Sequence, residues 1–271
     1  MEALFWRAGV AVVLVYALLP MAWIAALSLK PAADLGDGRL VPARLSLEHY
    51  RAIFADAQFP AALANSLGIA AISTLLSVML AMLAAYAIVR LRFRGRGLLL
   101  GAALAIAMFP PVAIIGPLFD MWRVLGLFDT WAGLILPYMT FTLPLGIWIL
   151  AAFFREVPWE LERAARVDGA TPWQAFRHVI APLAAPGVFT AAILVFIFAW
   201  NDFLFAAALT STNDARTVPA AIAFFTGSSR FELPTGSIAA ASMVVTVPVV
   251  ALIVAFQRPI VAGLTAGAVK G

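Results

Sequence analysis

Few side chains in this chain of 271 residues have a type and spacing that could perform chemistry. No cysteine is present, which removes disulfides, thiolate metal ligands and thiol nucleophiles together. The two histidines, His49 and His178, are expected on opposite sides of a membrane and so cannot share a zinc ion. Neither lies in an apolar segment, where a nucleophilic triad within the membrane would need one. The two lysines, Lys30 and Lys270, do not end a Gly-x-x-x-x-Gly-Lys-Ser/Thr phosphate loop. We therefore expect no metal site and no ATP hydrolysis through such a loop in this chain.

One charged side chain interrupts a long apolar segment. Asp202 follows Trp200 and Asn201 in the sequence FAWNDF. An ionisable group inside a bilayer is costly, and it usually bonds to a neighbouring helix, lines a substrate route or binds a driving ion. The residue types leave all three interpretations open.

The elements that must position these residues are transmembrane helices. Hydrophobic residues make up 64% of the chain and charged residues 12%, against about 45–50% and 25% in soluble proteins. We therefore predict an all-α integral membrane protein. Six apolar segments reach the roughly 20 residues that a helix needs to cross the hydrocarbon core. They run over about Ala8–Leu29, Leu67–Val89, Leu98–Phe119, Trp131–Phe154, Leu183–Leu209 and Ser237–Phe256.

The placement of arginines predicts the orientation. Arg90, Arg92, Arg94 and Arg96 crowd the short loop after the second segment. Because short loops rich in arginine face the cytoplasm, both termini are predicted to be cytoplasmic, with three outer loops and two inner ones. The formal net charge of +4 is dispersed along the chain, so membrane lipid and not nucleic acid is the expected environment.

Adjacent prolines interrupt the third apolar segment at Pro110-Pro111. Two missing backbone donors in mid-membrane predict a kink, which must be covered by neighbouring helices or face a water-lined cavity.

The polar segment 155–182 reads as two short helices with a hinge. Pro158 suits a first helical turn, Gly169 suits the left-handed residue after a helix, and Thr171-Pro172 suits the start of the next helix. The pair Ala164-Ala165 removes bulk from one face. Such a helix either docks into a groove on a partner protein or lies in the headgroup layer, and physical arguments leave both possibilities open.

The run ERAARVDGATPWQAFRHVIAPLAAPG resembles the "EAA" loop of permease subunits of binding-protein-dependent ABC importers. The family signature is Glu-Ala-Ala, three residues, Gly, nine residues and Ile-x-Leu-Pro, and its spacing is reproduced here. Arg163 stands at the family's glutamate position and Ala181 at its leucine position. Further segments are similar to carbohydrate importers of the maltose type: Asn65-Ser66, 84–87 with 90–97, 200–202 and 263–271. The segment 225–236 is most similar to the second permease of actinobacterial trehalose importers.

The resemblance implies the type I ABC importer permease fold with six transmembrane helices. Residues 1–62 would form the first transmembrane helix and an outer segment, 63–258 the core with the coupling loop 155–182, and 259–271 a cytoplasmic tail. The implied function is ATP-driven uptake of a disaccharide such as trehalose or a maltose-like α-glucoside. The implied partners are a paralogous permease, two ATPase subunits and an extracytoplasmic sugar-binding protein, with ATP and magnesium bound by the ATPase subunits and no cofactor bound by this chain.

The same resemblance implies roles for individual residues. Glu162, next to Arg163, would supply the carboxylate that the family uses in a salt bridge to the ATPase. Contact with the ATPase would involve Glu160, Glu162, Arg163, Ala164, Ala165, Asp168, Gly169 and Ala170 in the loop, and Gly267, Val269, Lys270 and Gly271 in the tail. Contact with the binding protein would involve Gly227, Ser228, Ser229 and Arg230. Because sugars stack on aromatic rings, the expected substrate path involves Phe109, Tyr138, Trp148, Trp200, Asn201 and Asp202.

Two functions of other classes are the alternatives. A stand-alone ion-coupled carrier or channel would transport substrate without an ATPase. An intramembrane enzyme is disfavoured, because the apolar segments contain no histidine, cysteine or pair of acidic residues.

Overall fold

The computed structural model describes residues 2–225 and 234–266, with side chains for 5–225 and 234–256. Within these residues the chain is helical, with a 3-10 turn at Ala32–Asp34. The helices are α1 Glu2–Leu29, α2 Glu48–Ala55, α3 Gln58–Arg90, α4 Arg96–Ala107, α5 Val112–Leu125, α6 Trp131–Glu156, α7 Trp159–Val167, α8 Pro172–Leu183, α9 Ala185–Trp200, α10 Leu204–Leu209, α11 Val218–Ala223 and α12 Thr235–Ala266.

Four of these helices, α1, α3, α6 and α12, are long and apolar enough to cross a membrane. Two pairs pass the same test only as bent spans, α4 with α5 at 89° and α8 with α9 at 74°. Counting each bent pair as one span gives six, the predicted number. The fifth predicted span, Leu183–Leu209, overlaps mainly α9, because α8 begins at Pro172 within the segment 155–182 that was predicted as the polar loop.

The third and fifth spans differ from straight helices. The predicted kink at Pro110-Pro111 is a full break: α4 ends at Ala107, and Pro111 stands immediately before α5. The fifth segment was expected to remain helical to Leu209, and this expectation is wrong. Helix α9 ends at Trp200, and a separate short helix begins at Leu204.

Helices α3 and α6 form the centre of the bundle, and α9 packs against both of them. Small residues permit the close approach: a Cβ added to Gly146 would lie 2.9 Å from the Cβ of Ala81. Ser77 and Thr142 share a buried hydrogen bond of 2.8 Å between the same two helices. Helix α12 packs on α1 and α9 and completes the bundle.

The two ends of the bundle are built differently. At one end, the arginine-rich turn after α3 lies beside α7 and α8, over a core that includes Phe154, Phe176 and Ile180. We call this the arginine end. At the opposite end, short helices α2 and α11 pack on the start of α3 around Ile53, Phe59 and Val218.

Candidate functional site

The segment that follows α6 folds as the sequence predicts, into two helices and a hinge. Helix α7 begins at Trp159, so Pro158 precedes the first turn instead of lying in it. Gly169 follows the helix with a φ of +91°. This left-handed conformation is unfavourable for residues that carry a Cβ, so glycine suits the position. Thr171 then caps α8 through a reciprocal pair of hydrogen bonds with Gln174. Local capping chemistry therefore fixes both ends of the hinge.

Helix α7 is held against the bundle by a buried carboxylate. Glu162 is only 6% exposed. The hydroxyl of Tyr86 on α3 donates a hydrogen bond of 3.0 Å to Glu162 Oε1. Arg90 Nε lies 3.7 Å from Glu162 Oε2. Glu162 thus accepts one hydrogen bond, from Tyr86, and faces the charge of Arg90 on the same helix, so a buried ion pair joins α7 to α3.

Arg90 extends this connection to α6. Its Nη2 atom donates to the carbonyl oxygen of Phe154 at 3.0 Å and to that of Val157 at 2.6 Å. Its guanidinium lies 4.4 Å from the ring centroid of Trp159, the first residue of α7. One side chain at the end of α3 thus contacts the end of α6 and the start of α7.

Aromatic rings tie α8 to the same point. Phe176 lies 4.8 Å from the ring of Tyr86 and 6.4 Å from that of Phe154, and Trp173 lies 5.4 Å from Phe176. Phe176 begins a π-helical turn that runs to Ile180. We call Tyr86, Arg90, Glu162 and Phe176 the anchor cluster, because together they attach α7 and α8 to the transmembrane helices.

The opposite side of α7 is open. A shallow hollow of about 410 Å³ lies where α7 meets α8. Its lining includes four residues predicted to contact the ATPase, together with Gln174 and His178 on α8. The four are Ala165, Asp168, Gly169 and Ala170.

The remaining loop residues named from the sequence lie elsewhere. Glu160 and Arg163 line a separate cleft, and Ala164 is exposed. Glu162, predicted to supply a salt bridge to the ATPase, has its carboxylate buried against Arg90 and Tyr86 of this chain, and its contact with an ATPase stays a prediction. From the sequence, Arg90 indicated the orientation of the chain and Tyr86 lay in a segment similar to the maltose-type importers, but neither residue was predicted to contact α7. Their four-residue spacing, which places them on one face of a helix, is the signal that could have found them.

Three of the residues predicted for the substrate path come together. The hydroxyl of Tyr138 donates a hydrogen bond of 2.8 Å to Asp202 Oδ2, and the backbone amide of Ala206 donates to the same oxygen at 3.1 Å. Trp200 is 2% exposed, belongs to the same core cluster as Tyr138, and stacks on Phe196. Asp202 therefore bonds to a neighbouring helix and also holds the first turn of α10.

The other three predicted path residues are separate from this cluster. Asn201 is exposed and bonds to the carbonyl oxygen of Ile197, four residues earlier, at 2.8 Å. Phe109, in the break between α4 and α5, is 49% exposed, and Trp148 on α6 is 47% exposed. Their rings are available to a ligand, to lipid or to another protein.

At the opposite end, the loop that follows α10 is fixed by residues from distant segments. Asn65 on α3 donates to the carbonyl oxygens of Asn213 at 2.8 Å and Arg216 at 3.1 Å. Trp131 Nε1 in turn donates to Asn65 Oδ1 at 3.0 Å. The sequence comparison singled out Asn65 without giving it this role.

Asp129 fixes the start of the same loop. Its carboxylate accepts hydrogen bonds of 3.0 Å from the backbone amides of Ser211 and Thr212. Partial burial raises the pKa of Asp129, but the hydrogen bonds from Thr212 and Ser211 outweigh it and hold the pKa below its ordinary value.

Eight residues named from the sequence lie outside the described residues. They are the proposed contacts to a binding protein, Gly227, Ser228, Ser229 and Arg230, and the proposed tail contacts, Gly267, Val269, Lys270 and Gly271.

A bundle of apolar helices with an anchored, partly exposed helix pair at one end is the architecture of an integral membrane protein that can contact a partner at that end. The chain belongs to the family of inner membrane components of binding-protein-dependent transport systems, whose family model matches residues 77–263. The matched region contains both α7 and α8. The resemblance drawn from the EAA-type loop is confirmed, and so are the membrane location and the transport class.

Similarity to curated relatives covers the whole chain. It is 59% identical over 270 residues to the trehalose transport system permease protein SugB of Mycobacterium tuberculosis (strain CDC 1551 / Oshkosh), covering 100% of this chain and 98% of that protein. It is 41% identical over 265 residues to the trehalose/maltose transport system permease protein MalG of Thermococcus litoralis, covering 97% and 95%. The relatives are permeases, so this chain is a transport subunit and not an ATPase.

The fold also matches a solved structure. A chain in the crystal structure of a bacterial ABC transporter involved in the import of the acidic polysaccharide alginate superposes with a TM-score of 0.81, at 22% identity and with 95% of each chain covered. The predicted all-α permease fold is thereby confirmed.

Proposed function

We propose that this chain is the permease subunit of an ATP-driven importer of disaccharides, with trehalose as the first candidate and maltose-like α-glucosides as the wider class. Support for the sugar comes from the full-length similarity to a trehalose permease and to a trehalose/maltose permease. Support for ATP-driven coupling comes from the anchor cluster, which joins an exposed helix to the transmembrane core. This attachment is the observation that carries the proposal.

The arginine end faces the cytoplasm in this proposal, in keeping with the excess of arginines there. Two ATPase subunits bind ATP and magnesium, and one of them receives α7 at the hollow beside Gly169. When the ATPase subunits close, α7 moves with them. Because Arg90 and Glu162 join α7 to α3 and α6, the displacement passes to the transmembrane helices and reorients the substrate path.

Sugar passes between this chain and a paralogous permease. The hydrogen-bonded pair of Tyr138 and Asp202 sets the break between α9 and α10 at the edge of that path, and the exposed rings of Phe109 and Trp148 are candidate stacking surfaces. At the outer end, a sugar-binding protein contacts residues 227–230, which follow in sequence the loop held by Asn65 and Asp129. The tail residues 267–271 contact the ATPase.

The test uses the complete complex, reconstituted in liposomes with the binding protein. Ala165→Trp fills the hollow and should reduce trehalose uptake more than about tenfold, because a bulky ring prevents seating of α7. The matched control is Ala33→Trp, which places the same ring on an exposed turn at the opposite end of the bundle. Membrane insertion and co-purification of the ATPase subunits are measured for both variants.

Three results would contradict the proposal. Full uptake by Ala165→Trp would remove the docking role of α7. Trehalose transport by the chain alone, driven by an ion gradient, would favour a stand-alone carrier. The substrate class would be refuted if the complete complex took up other solutes and neither trehalose nor maltose inhibited that uptake.

A further inference from the structure

A cleft at the arginine end includes Arg90 of the anchor cluster and two residues expected to contact the ATPase, Glu160 and Arg163, but the transport mechanism assigns no ligand to it. It lies between the turn that joins α3 to α4 and the start of α7. One part, of about 480 Å³, is lined by Arg90, Arg92, Arg96 and Arg163 around Trp159. A second part, of about 330 Å³, shares Val89, Arg96 and Trp159 with the first, so the two parts adjoin. We call the whole the basic cleft.

The first part carries an excess of positive charge. Arg92, Arg96 and Arg163 are exposed, and within the described residues none of them forms an ion pair. Glu160 is the exposed carboxylate in this lining. Three unpaired arginines around one carboxylate produce a strong local attraction for anions.

Arg90 adds a buried donor to the wall of the cleft. Its side chain is fully buried, and its Nε and Nη1 atoms have no hydrogen-bond partner among the described residues. Nε faces Glu162 at 3.7 Å, which is longer than a hydrogen bond. Glu162 balances the charge of this guanidinium, so Arg90 contributes unused N–H donors at the wall of the cleft and not additional net charge.

Two helices also begin at the cleft. Helix α4 starts at Arg96 and α7 at Trp159, and no described side chain caps either first turn. The unpaired amides and the dipole of each helix favour an anion at this position.

The second part of the cleft has a different character. Its lining combines Ile88, Val89, Gly97 and Leu100, from the end of α3 and the start of α4, with Arg96, Arg155 and Trp159. The cleft thus has one part lined mainly by arginines and a second part in which apolar side chains stand beside arginines, and the indole of Trp159 lines both parts, as in residues that contact the membrane interface. A soluble anion would leave the apolar side chains of the second part uncovered, whereas a lipid can cover them with an acyl chain.

We propose that the basic cleft binds an anionic phospholipid, with its phosphate at Arg92, Arg96 and Arg163 and an acyl chain along Ile88 and Leu100. The bound headgroup reduces the repulsion among the arginines and bridges the α3–α4 turn to α7. The lipid is thereby placed beside the helix on which the ATPase acts.

The test uses the reconstituted importer complex and phosphatidylglycerol that carries a photo-crosslinking group in its acyl chain. Crosslinking to this chain should fall at least about fivefold in the double variant Arg92→Gln with Arg96→Gln. The matched control, Arg94→Gln with Arg166→Gln, removes two exposed arginines from the same end that do not line the cleft, and it should stay near the wild-type yield. Arg92→Lys with Arg96→Lys keeps the charge and should restore crosslinking.

Competition identifies the ligand. Unlabelled phosphatidylglycerol should displace the probe, whereas phosphatidylcholine and millimolar inorganic phosphate should not. Equal losses in the cleft and control variants would overturn the proposal in favour of general surface attraction, and so would displacement by phosphatidylcholine. Displacement by inorganic phosphate alone would overturn the lipid assignment. Loss of the ATPase subunits from the cleft variant with unchanged lipid crosslinking would make the cleft a protein contact instead.

Discussion

Replacing Glu162 by glutamine tests the anchor cluster directly. The amide keeps the shape of the side chain and can still accept the hydrogen bond from Tyr86, which is 3.0 Å long in the structure. The change removes the negative charge that faces Arg90 at 3.7 Å. Arg90 then remains buried without a counter-charge.

The expected cost follows from these contacts. Removing one partner of a buried ion pair typically costs about 3–5 kcal/mol. Arg90 keeps its bonds to two carbonyl oxygens and its stacking on Trp159, which compensate part of the loss. We therefore expect Glu162→Gln to lower the free energy of unfolding by about 2–3 kcal/mol.

The assay is denaturant-induced unfolding of the purified chain in mixed micelles. Glu160→Gln is the matched control, because it changes an exposed carboxylate one turn or less away and should shift stability by no more than about 0.5 kcal/mol. A double-mutant cycle with Arg90→Met should give a coupling energy of at least about 1 kcal/mol. Equal effects of Glu160→Gln and Glu162→Gln, or a coupling energy near zero, would refute the anchoring role.

Two further substitutions test the hinge and the loop that follows α10. Gly169→Ala should destabilise the chain by about 1 kcal/mol through backbone strain alone, because the added methyl group would meet no atom within 4 Å. The control is Gly97→Ala, which lies in equally open space inside α4 and should leave the thermal unfolding temperature unchanged or raise it. Equal shifts in the two variants would contradict the strain argument. Asp129→Asn should lower the unfolding temperature at neutral pH. Because the folded pKa of Asp129 lies below its ordinary value, the ionised carboxylate stabilises the fold above about pH 4, and this stabilisation is lost as the pH falls through the folded pKa. The unfolding temperatures of the wild type and of Asp129→Asn should therefore converge in acid. A difference that stays constant across pH would contradict the stabilising role of the ionised carboxylate.

The sequence predicts the helices and the hinge well because local chemistry determines them. An apolar run long enough to cross a bilayer has few alternatives to a helix. Gly169 and the capping residues Thr171 and Gln174 specify their conformations within a few residues. Such features do not depend on the rest of the fold.

The anchor cluster and the end of α9 depend on long-range contacts, which a single sequence does not display. Arg90 and Glu162 stand far apart in the chain, and their pairing exists only because α7 folds back onto α3. The apolar run continues past Trp200 to Leu209, so composition predicts a longer helix than the structure contains. The break is set by Asp202, which bonds to Tyr138 on another helix and to the first turn of α10.

The length of α7 explains why it needs an anchor. The helix has nine residues, and isolated helices shorter than about 12–15 residues are marginal in water. Its conformation must therefore come from contacts with the bundle, chiefly those of Glu162 and Trp159 with Arg90. If α7 moved independently of α3, the buried ion pair between Glu162 and Arg90 would be separated or exposed to water. In the proposed mechanism, the contacts that stabilise the helix are thus the same contacts that would transmit its movement to α3 and α6.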